Sequence, residues 1–153
     1  MIKQEVNDYL TAKGVDYEVT EHGPVYTMEE IEALQLPNPE ALAKNILVRD
    51  DKKEHYYLIT VKPSRRVDLN EFRSRFGTRR LSFASETDMA MLLGVQPGAV
   101  TPSGLLADAE CKVYFYIDAE LLRDNSMIGV HPCDNTATVW LSAECLIGIF
   151  CRC

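Results

Sequence analysis

The hydrophobic period of this chain switches back and forth between that of a helix and that of a strand, and this alternation limits the fold more than any single residue does. Ile2, Val6, Tyr9 and Leu10 recur at helical spacing, and Gly14 follows as a left-handed terminator. Residues 15–20 alternate apolar and polar, the period of a strand with one buried face. Thr27 and Glu30 have the spacing of a capping box ahead of Ile31 and Leu34, so a second helix begins there. Pro37 and Pro39 end that helix or separate it from a short turn at 40–43. Residues 45–49 read as a buried strand with Lys44 at its entrance, and 55–61 as another. The polar 50–54 segment between them predicts a hairpin, hence antiparallel neighbours.

Leu69, Phe72 and Phe76 mark one face of a third helix that ends at Gly77, which turns Arg73 and Arg75 away from the core. Ser85 and Asp88 form a second capping box, Met89, Leu92 and Leu93 supply an apolar face, and Gly94 closes that helix. Residues 113–117 and 137–141 read as strands and 127–130 as a further short one, with Ser142 capping a closing helix. Helices and strands are mixed rather than strictly alternating, which predicts α+β or mixed α/β around one sheet. With 153 residues, no internal repeat and no linker of low complexity, one domain over 1–153 is expected.

Composition narrows the function classes. A hydrophobic fraction of 46% and a charged fraction of 25% are those of an ordinary globular protein. No apolar run approaches the roughly 18 residues of a membrane span, and the first residues lack the pattern of a leader, so a cytoplasmic protein without membrane contact is expected. The five cysteines, Cys111, Cys133, Cys145, Cys151 and Cys153, are odd in number and irregular in spacing, which suits reduced thiols. A net charge of −7 argues against indiscriminate nucleic-acid binding. The average hides an asymmetry. Lys62, Arg65, Arg66, Arg73, Arg75, Arg79 and Arg80 face only Asp68 and Glu71 in the same stretch, a local +5 that leaves −12 for the remainder. That stretch is either a solvated helix face or a polyanion site.

Three places concentrate unusual residues. Lys44 and Asn45 open a strand, where a lysine is either merely solvated or, beside a cleft, a point charge for phosphate or carboxylate. The segment 94–104 holds three glycines and two prolines, so it is either a connecting loop or a bent, surface-near backbone whose amides face an anion or oxyanion. His131, between Gly129 and Pro132, positions or protonates a substrate or bonds a neighbouring carbonyl. The chain has no G-x-S-x-G elbow, phosphate-binding loop, dinucleotide fingerprint or H-E-x-x-H. Pro132 between His131 and Cys133 disfavours a cysteine–histidine dyad, which leaves water as the nucleophile.

At these places, and over nearly its whole length, the sequence resembles the YbaK/ProX family of aminoacyl-tRNA deacylases, related to the editing insertion of bacterial prolyl-tRNA synthetase. The likeness is carried by Val25, Tyr26 and Thr27 with Glu29 and Glu30; by Ala43, Lys44 and Asn45 through Arg49 and Asp50; by Gly94 to Gly98 with Val100, Thr101, Pro102, Ser103, Gly104 and Leu105; and by His131 and Pro132 with Asn135, Thr136, Ala137 and Thr138. The resemblance implies a mixed, mostly antiparallel sheet flanked by helices. It implies hydrolysis of alanine, or alternatively cysteine, from proline tRNA, with no cofactor. The acceptor end of mischarged tRNA would be the partner, and prolyl-tRNA synthetase a further candidate.

By position, the family implies that Lys44 holds the terminal adenosine phosphates and that the 94–104 backbone, with Gly98 and Gly104, surrounds the ester. His131 would shape the aminoacyl pocket, and Tyr26, Thr27, Asn45, Val100, Thr101, Pro102, Ser103, Asn135 and Thr136 would line it. The basic residues from Lys62 to Arg80 would meet acceptor-stem phosphates. Ser103, where many relatives carry phenylalanine, and Cys133 depart from the family pattern. Two rivals are a catalytically silent RNA-binding module and a metal-dependent hydrolase built on His131, Cys133, Cys151 and Cys153, whose spacing lacks a paired C-x-x-C framework.

Overall fold

The computed structural model describes residues 2–36, 39–123 and 127–150. Its helices are α1 (Lys3–Ala12), α2 (Met28–Ala33), α3 (Leu69–Phe76), α4 (Glu86–Leu93), α5 (Ala119–Leu122) and α6 (Ala143–Phe150), with short 3-10 helices at Pro39–Ala41 and Pro102–Ala107. The strands are β1 (Glu18–Glu21), β2 (Lys44–Asp50), β3 (Tyr56–Val61), β4 (Leu81–Phe83), β5 (Val113–Ile117), β6 (Met127–Val130) and β7 (Ala137–Ser142).

Local chemistry explains the helix ends. Thr27 accepts the Glu30 amide at α2, Asp68 accepts the Asn70 and Glu71 amides at α3, and Ser85 with Asp88 forms a reciprocal capping box at α4. Gly77 and Gly94 close α3 and α4 at φ +66 and +65, where a Cβ would be strained. Ser142 accepts the Cys145 amide at the start of α6.

The strands form two sheets rather than one. β1, β7 and β6 pair antiparallel in that order; β4, β2 and β3 pair antiparallel, and β5 joins β3 in parallel. The expected β2–β3 hairpin is present, with Lys44 opposite Val61. A single parallel bridge, Leu42 to Gly129, ties the sheets together, and the Ala43 amide donates to the Gly129 carbonyl at 3.0 Å. Pairing of β1 starts at Glu18, later than the alternation at 15–20 suggested, because the Val15 amide is held by the Leu10 carbonyl of α1.

Successive residues of a strand face opposite sides, and β2 uses both. Leu47 enters the main core with Leu58, Leu93, Val139 and Leu146, while Val48 lies under α3 with Tyr57, Ile59 and Phe72. Two further expectations are corrected and one strand is added. The 94–104 segment is not a surface loop throughout, since Ala99 and residues 101–104 are buried and Pro102 begins a 3-10 helix against α4. β4 has three residues, too few for any period to be visible. Reduced thiols hold for Cys133 and Cys145 but not for Cys111, which is disulfide-bonded, because pairing follows spatial proximity rather than spacing. Pro37, Cys151 and Cys153 lie outside the described residues.

Candidate active site

Where Leu42 bridges to Gly129, the two sheets leave a cleft of about 390 Å³, counted out to its open mouth. Val25, Ile31, Leu34, Leu36, Leu42 and Val130 form apolar walls, and His22, Asn45, His131 and Thr138 supply polar side chains. No carboxylate is among these lining residues. Apolar walls with a few convergent polar atoms are the usual make-up of a small-ligand site.

His131 is the most constrained of the polar groups. Its Nδ1 lies 2.9 Å from the Ala137 carbonyl, which can only accept, so Nδ1 carries the proton and Nε2 keeps its lone pair. Burial, reinforced by nearby His22, draws its pKa below the ordinary 6.5 against the pull of the Ala137 carbonyl and Asp134. From behind, the Thr101 and Ser103 hydroxyls both donate to the His131 backbone carbonyl, at 2.5 and 2.9 Å. Both side chains are fully buried, so they hold the histidine segment rather than line the cleft.

Ser103 also lies 3.3 Å from Cys133 Sγ. Because the Ser103 hydroxyl is already donating to His131, the thiol is the donor in this contact. The two departures from the family pattern therefore touch each other. Burial pushes the Cys133 thiol above its usual value, so it remains protonated and is no nucleophile.

Asn45 is oriented by the Thr60 hydroxyl, which donates to its Oδ1 at 2.6 Å and leaves the amide N–H groups for another acceptor. Lys44 is half-buried, and its side chain makes no hydrogen bond or ion pair among the described residues. The pleat places Ala43 and Asn45 on the cleft side and Lys44 on the α3 side, at the rim of the same strand end.

Gly98, Tyr26 and Asn135 meet beside the cleft. Asn135 Nδ2 donates to the Val25 carbonyl at 2.8 Å, and a Cβ on Gly98 would lie 2.9 Å from the Tyr26 ring. Gly104 stands elsewhere. Its amide donates to the Thr101 carbonyl, and a Cβ there would approach Leu93 Cβ to 2.8 Å, so its small size serves packing on α4 and its amide is not free for an oxyanion. Thr27 caps α2, Val100 packs on the main core and Pro102 is buried. Thr136 is bound to Asp134 and Lys3. None of these four lines the cleft.

The basic stretch divides. Arg65 pairs with Asp118 and Glu120, Arg79 with Asp51, and Lys62 lies 4.0 Å from Glu120. Arg66, Arg73, Arg75 and Arg80 are exposed and have no acidic partner among the described residues. Arg75 lies 5.5 Å from the Phe76 ring centroid. α3 covers the face of the four-stranded sheet opposite the main core, and Arg66 and Arg75 line a groove beside it.

The residues that build the cleft fall within one recognised sequence family. Residues 22–149 match the model of the aminoacyl-tRNA editing domain. The chain belongs to that family. It is 38% identical to the prolyl-tRNA editing protein ProX of Acetoanaerobium sticklandii, over 93% of this chain and 86% of that protein. It is 34% identical to the prolyl-tRNA synthetase associated domain-containing protein 1 of Mus musculus, over 94% of this chain and 86% of the relative. The fold matches that of protein APE2540, with a TM-score of 0.75, 18% identity and coverage of 95% and 93% of the two chains. It also matches a candidate trans-editing enzyme for prolyl-tRNA synthetase, with a TM-score of 0.73, 20% identity and coverage of 97% and 90%.

The editing family's match begins at His22, which the sequence reading passed over. Its signal was its rarity, as one of three histidines directly before Gly23 and Pro24. Among the described residues no three His, Cys, Asp or Glu side chains are grouped to hold a metal ion, and no helix is long and apolar enough to cross a membrane.

The neutral His131 of this editing domain has a thermodynamic signature. Its pKa is lower in the folded chain than the ordinary 6.5, so below that pH the unfolded chain takes up the proton first. Its contribution is therefore fully present above 6.5 and is lost as pH falls toward the folded pKa. The urea midpoint of His131→Gln should lose less than that of wild type between pH 7 and the acid side of 6.5. Equal losses would mean the imidazole is not held neutral.

Proposed function

We propose that the protein is an editing deacylase that hydrolyses the ester of alanine wrongly attached to proline tRNA. The observation that carries this reading is the small apolar cleft whose polar atoms include a neutral His131, beside the Gly98 turn. Similarity to ProX over most of both chains supports prolyl-tRNA editing as the general task. A synthetase pocket shaped for proline cannot strongly reject smaller residues, since a methylene is worth only about 1–3 kcal/mol, so a second pocket that sorts by size is needed.

Water is the nucleophile. Its oxygen attacks the ester carbonyl carbon, and the tetrahedral oxyanion is stabilised by the backbone amides of Gly98, Val100 and Thr101, since that of Ala99 donates to the Gln96 carbonyl. Collapse expels the ribose oxygen, which leaves as a hydroxyl after taking up the proton that water loses. A neighbouring ribose hydroxyl relays that proton. Lys44, at the rim, binds the phosphates of the terminal adenosine, and Asn45 donates into the cleft. Arg66, Arg73, Arg75 and Arg80, free of carboxylates, meet the phosphates of the acceptor stem.

Release of labelled amino acid from alanyl-, cysteinyl- and prolyl-tRNA(Pro) tests this reading. Alanine should be freed and proline spared, with Lys44→Ala lowering kcat/KM by about 10–100-fold, the worth of one charge-assisted contact. The Michaelis constant should rise with salt, and less steeply once Arg66 and Arg75 are neutralised. Binding of the tRNA without cleavage of any ester would replace the enzyme with a silent RNA-binding module.

A further inference from the structure

His22 has no role in the mechanism above, yet it lines the same cleft as His131, with ring centroids 6.2 Å apart. Both its nitrogens are committed. Nδ1 lies 2.8 Å from the Gly23 carbonyl and must donate to it, so Nε2 carries the lone pair. The partner of Nε2, 3.0 Å away, is the hydroxyl of Thr138, which must therefore donate. With its only proton turned toward His22, Thr138 Oγ1 has lone pairs left and nothing to donate. Thr138 is otherwise buried on β7, and Thr138 and His131 both line the cleft.

The cleft thus presents two neutral acceptors, Thr138 Oγ1, set by His22 within the cleft, and His131 Nε2, set by the Ala137 carbonyl behind it. It has no carboxylate to serve as a counter-ion. We infer that His22 is a positioning residue that fixes the Thr138 hydroxyl as an acceptor, so that Thr138 and His131 together hold the α-ammonium group of the aminoacyl ester. This rests on the deacylase reading and deepens it. An amino-acid ester is told from other esters by that ammonium group, whose N–H bonds need acceptors in a cleft with apolar walls. A Thr138 hydroxyl free to rotate could point its proton at the ammonium and repel it.

The test compares two esters of the same tRNA(Pro), alanyl and lactyl, which differ in carrying an α-ammonium or an α-hydroxyl. Wild type should favour the alanyl ester, and Thr138→Val and His22→Leu should each reduce that preference about tenfold. The double variant should lose no more than either single one, because His22 acts only through Thr138. Thr138→Ser and His22→Gln, which keep a hydroxyl and an acceptor, should restore the preference and guard against a folding defect. Variants that lose both esters in equal proportion would show a merely structural His22 and overturn the inference while leaving the deacylase intact. A wild type inert toward both esters would overturn the deacylase reading itself.

Discussion

Gly98→Ala is expected to lower kcat/KM for the alanyl ester about a hundredfold while the chain stays folded, since a displacement of about 1 Å at a reacting centre has effects of that size. Gly98 sits at φ +87, a conformation that side-chain-bearing residues rarely adopt. Its missing Cβ would also lie 2.9 Å from Tyr26 Cδ1, 3.3 Å from the Val25 carbonyl and 3.5 Å from Asn135 Nδ2. The Tyr26 ring is 66% exposed and can swing away, but the Val25 carbonyl is backbone and is pinned by Asn135. Relief must therefore come from the 98–101 stretch itself, whose Gly98, Val100 and Thr101 amides are assigned to the oxyanion. The folding cost should stay near the roughly 1–2 kcal/mol of a left-handed residue, because Gly98 is exposed. Steady-state kinetics and a urea midpoint on the same sample check this. Unchanged kcat/KM would mean that the turn does not frame the ester.

Trp140→Ala should cost about 3–5 kcal/mol of stability, the range for deleting a large core aromatic. Trp140 is 1% exposed, and its indole N–H donates to Thr20 Oγ1 at 2.9 Å, tying β7 to β1. On its other side it lies over Gly129, where a Cβ would sit 2.6 Å from Cζ3, so the ring and the glycine fit only together. With Leu36 and Leu42 it forms a small core beside the cleft. Truncation therefore opens a cavity and strands the Thr20 hydroxyl at once. For a chain of this size Tm should fall by roughly 10 °C. Thermal unfolding measures the loss, and Trp140→Phe should recover much of the packing but not the hydrogen bond. A loss under about 1 kcal/mol would mean that the neighbouring leucines collapse into the space.

Gly98 and Gly129, the glycine under Trp140, differ in how far the sequence marks them. Gly98 stood out in a glycine- and proline-rich run, and its neighbours in the editing motif pointed to the same place. Gly129 stands out in the sequence only as a neighbour of His131, because the ring that demands it lies across the sheet. By family resemblance Thr101, Ser103 and Gly104 belong to a loop around substrate. In the fold their hydroxyls and backbone brace His131 and α4 from within the core. A run of small residues looks alike whether it borders solvent or packs tightly, since both settings favour small side chains.

The helix ends, the β2–β3 hairpin and the family are legible in the order of residues alone. Caps such as Thr27, Ser85 and Gly77 act on backbone groups within four residues, and the unbroken apolar run Ile46-Leu47-Val48 in β2 records two buried faces, so the information is local. The editing motifs, too, are strings of neighbours that can be matched without a fold. That the strands divide into two sheets, with a cleft where Leu42 bridges to Gly129, follows from packing and not from local order. Packing likewise sets His22 against Thr138, 116 residues apart, and Ser103 against Cys133, 30 apart. Contacts of that range depend on how the layers pack, and the side chains that make them are free to be polar, small and unremarkable in the chain.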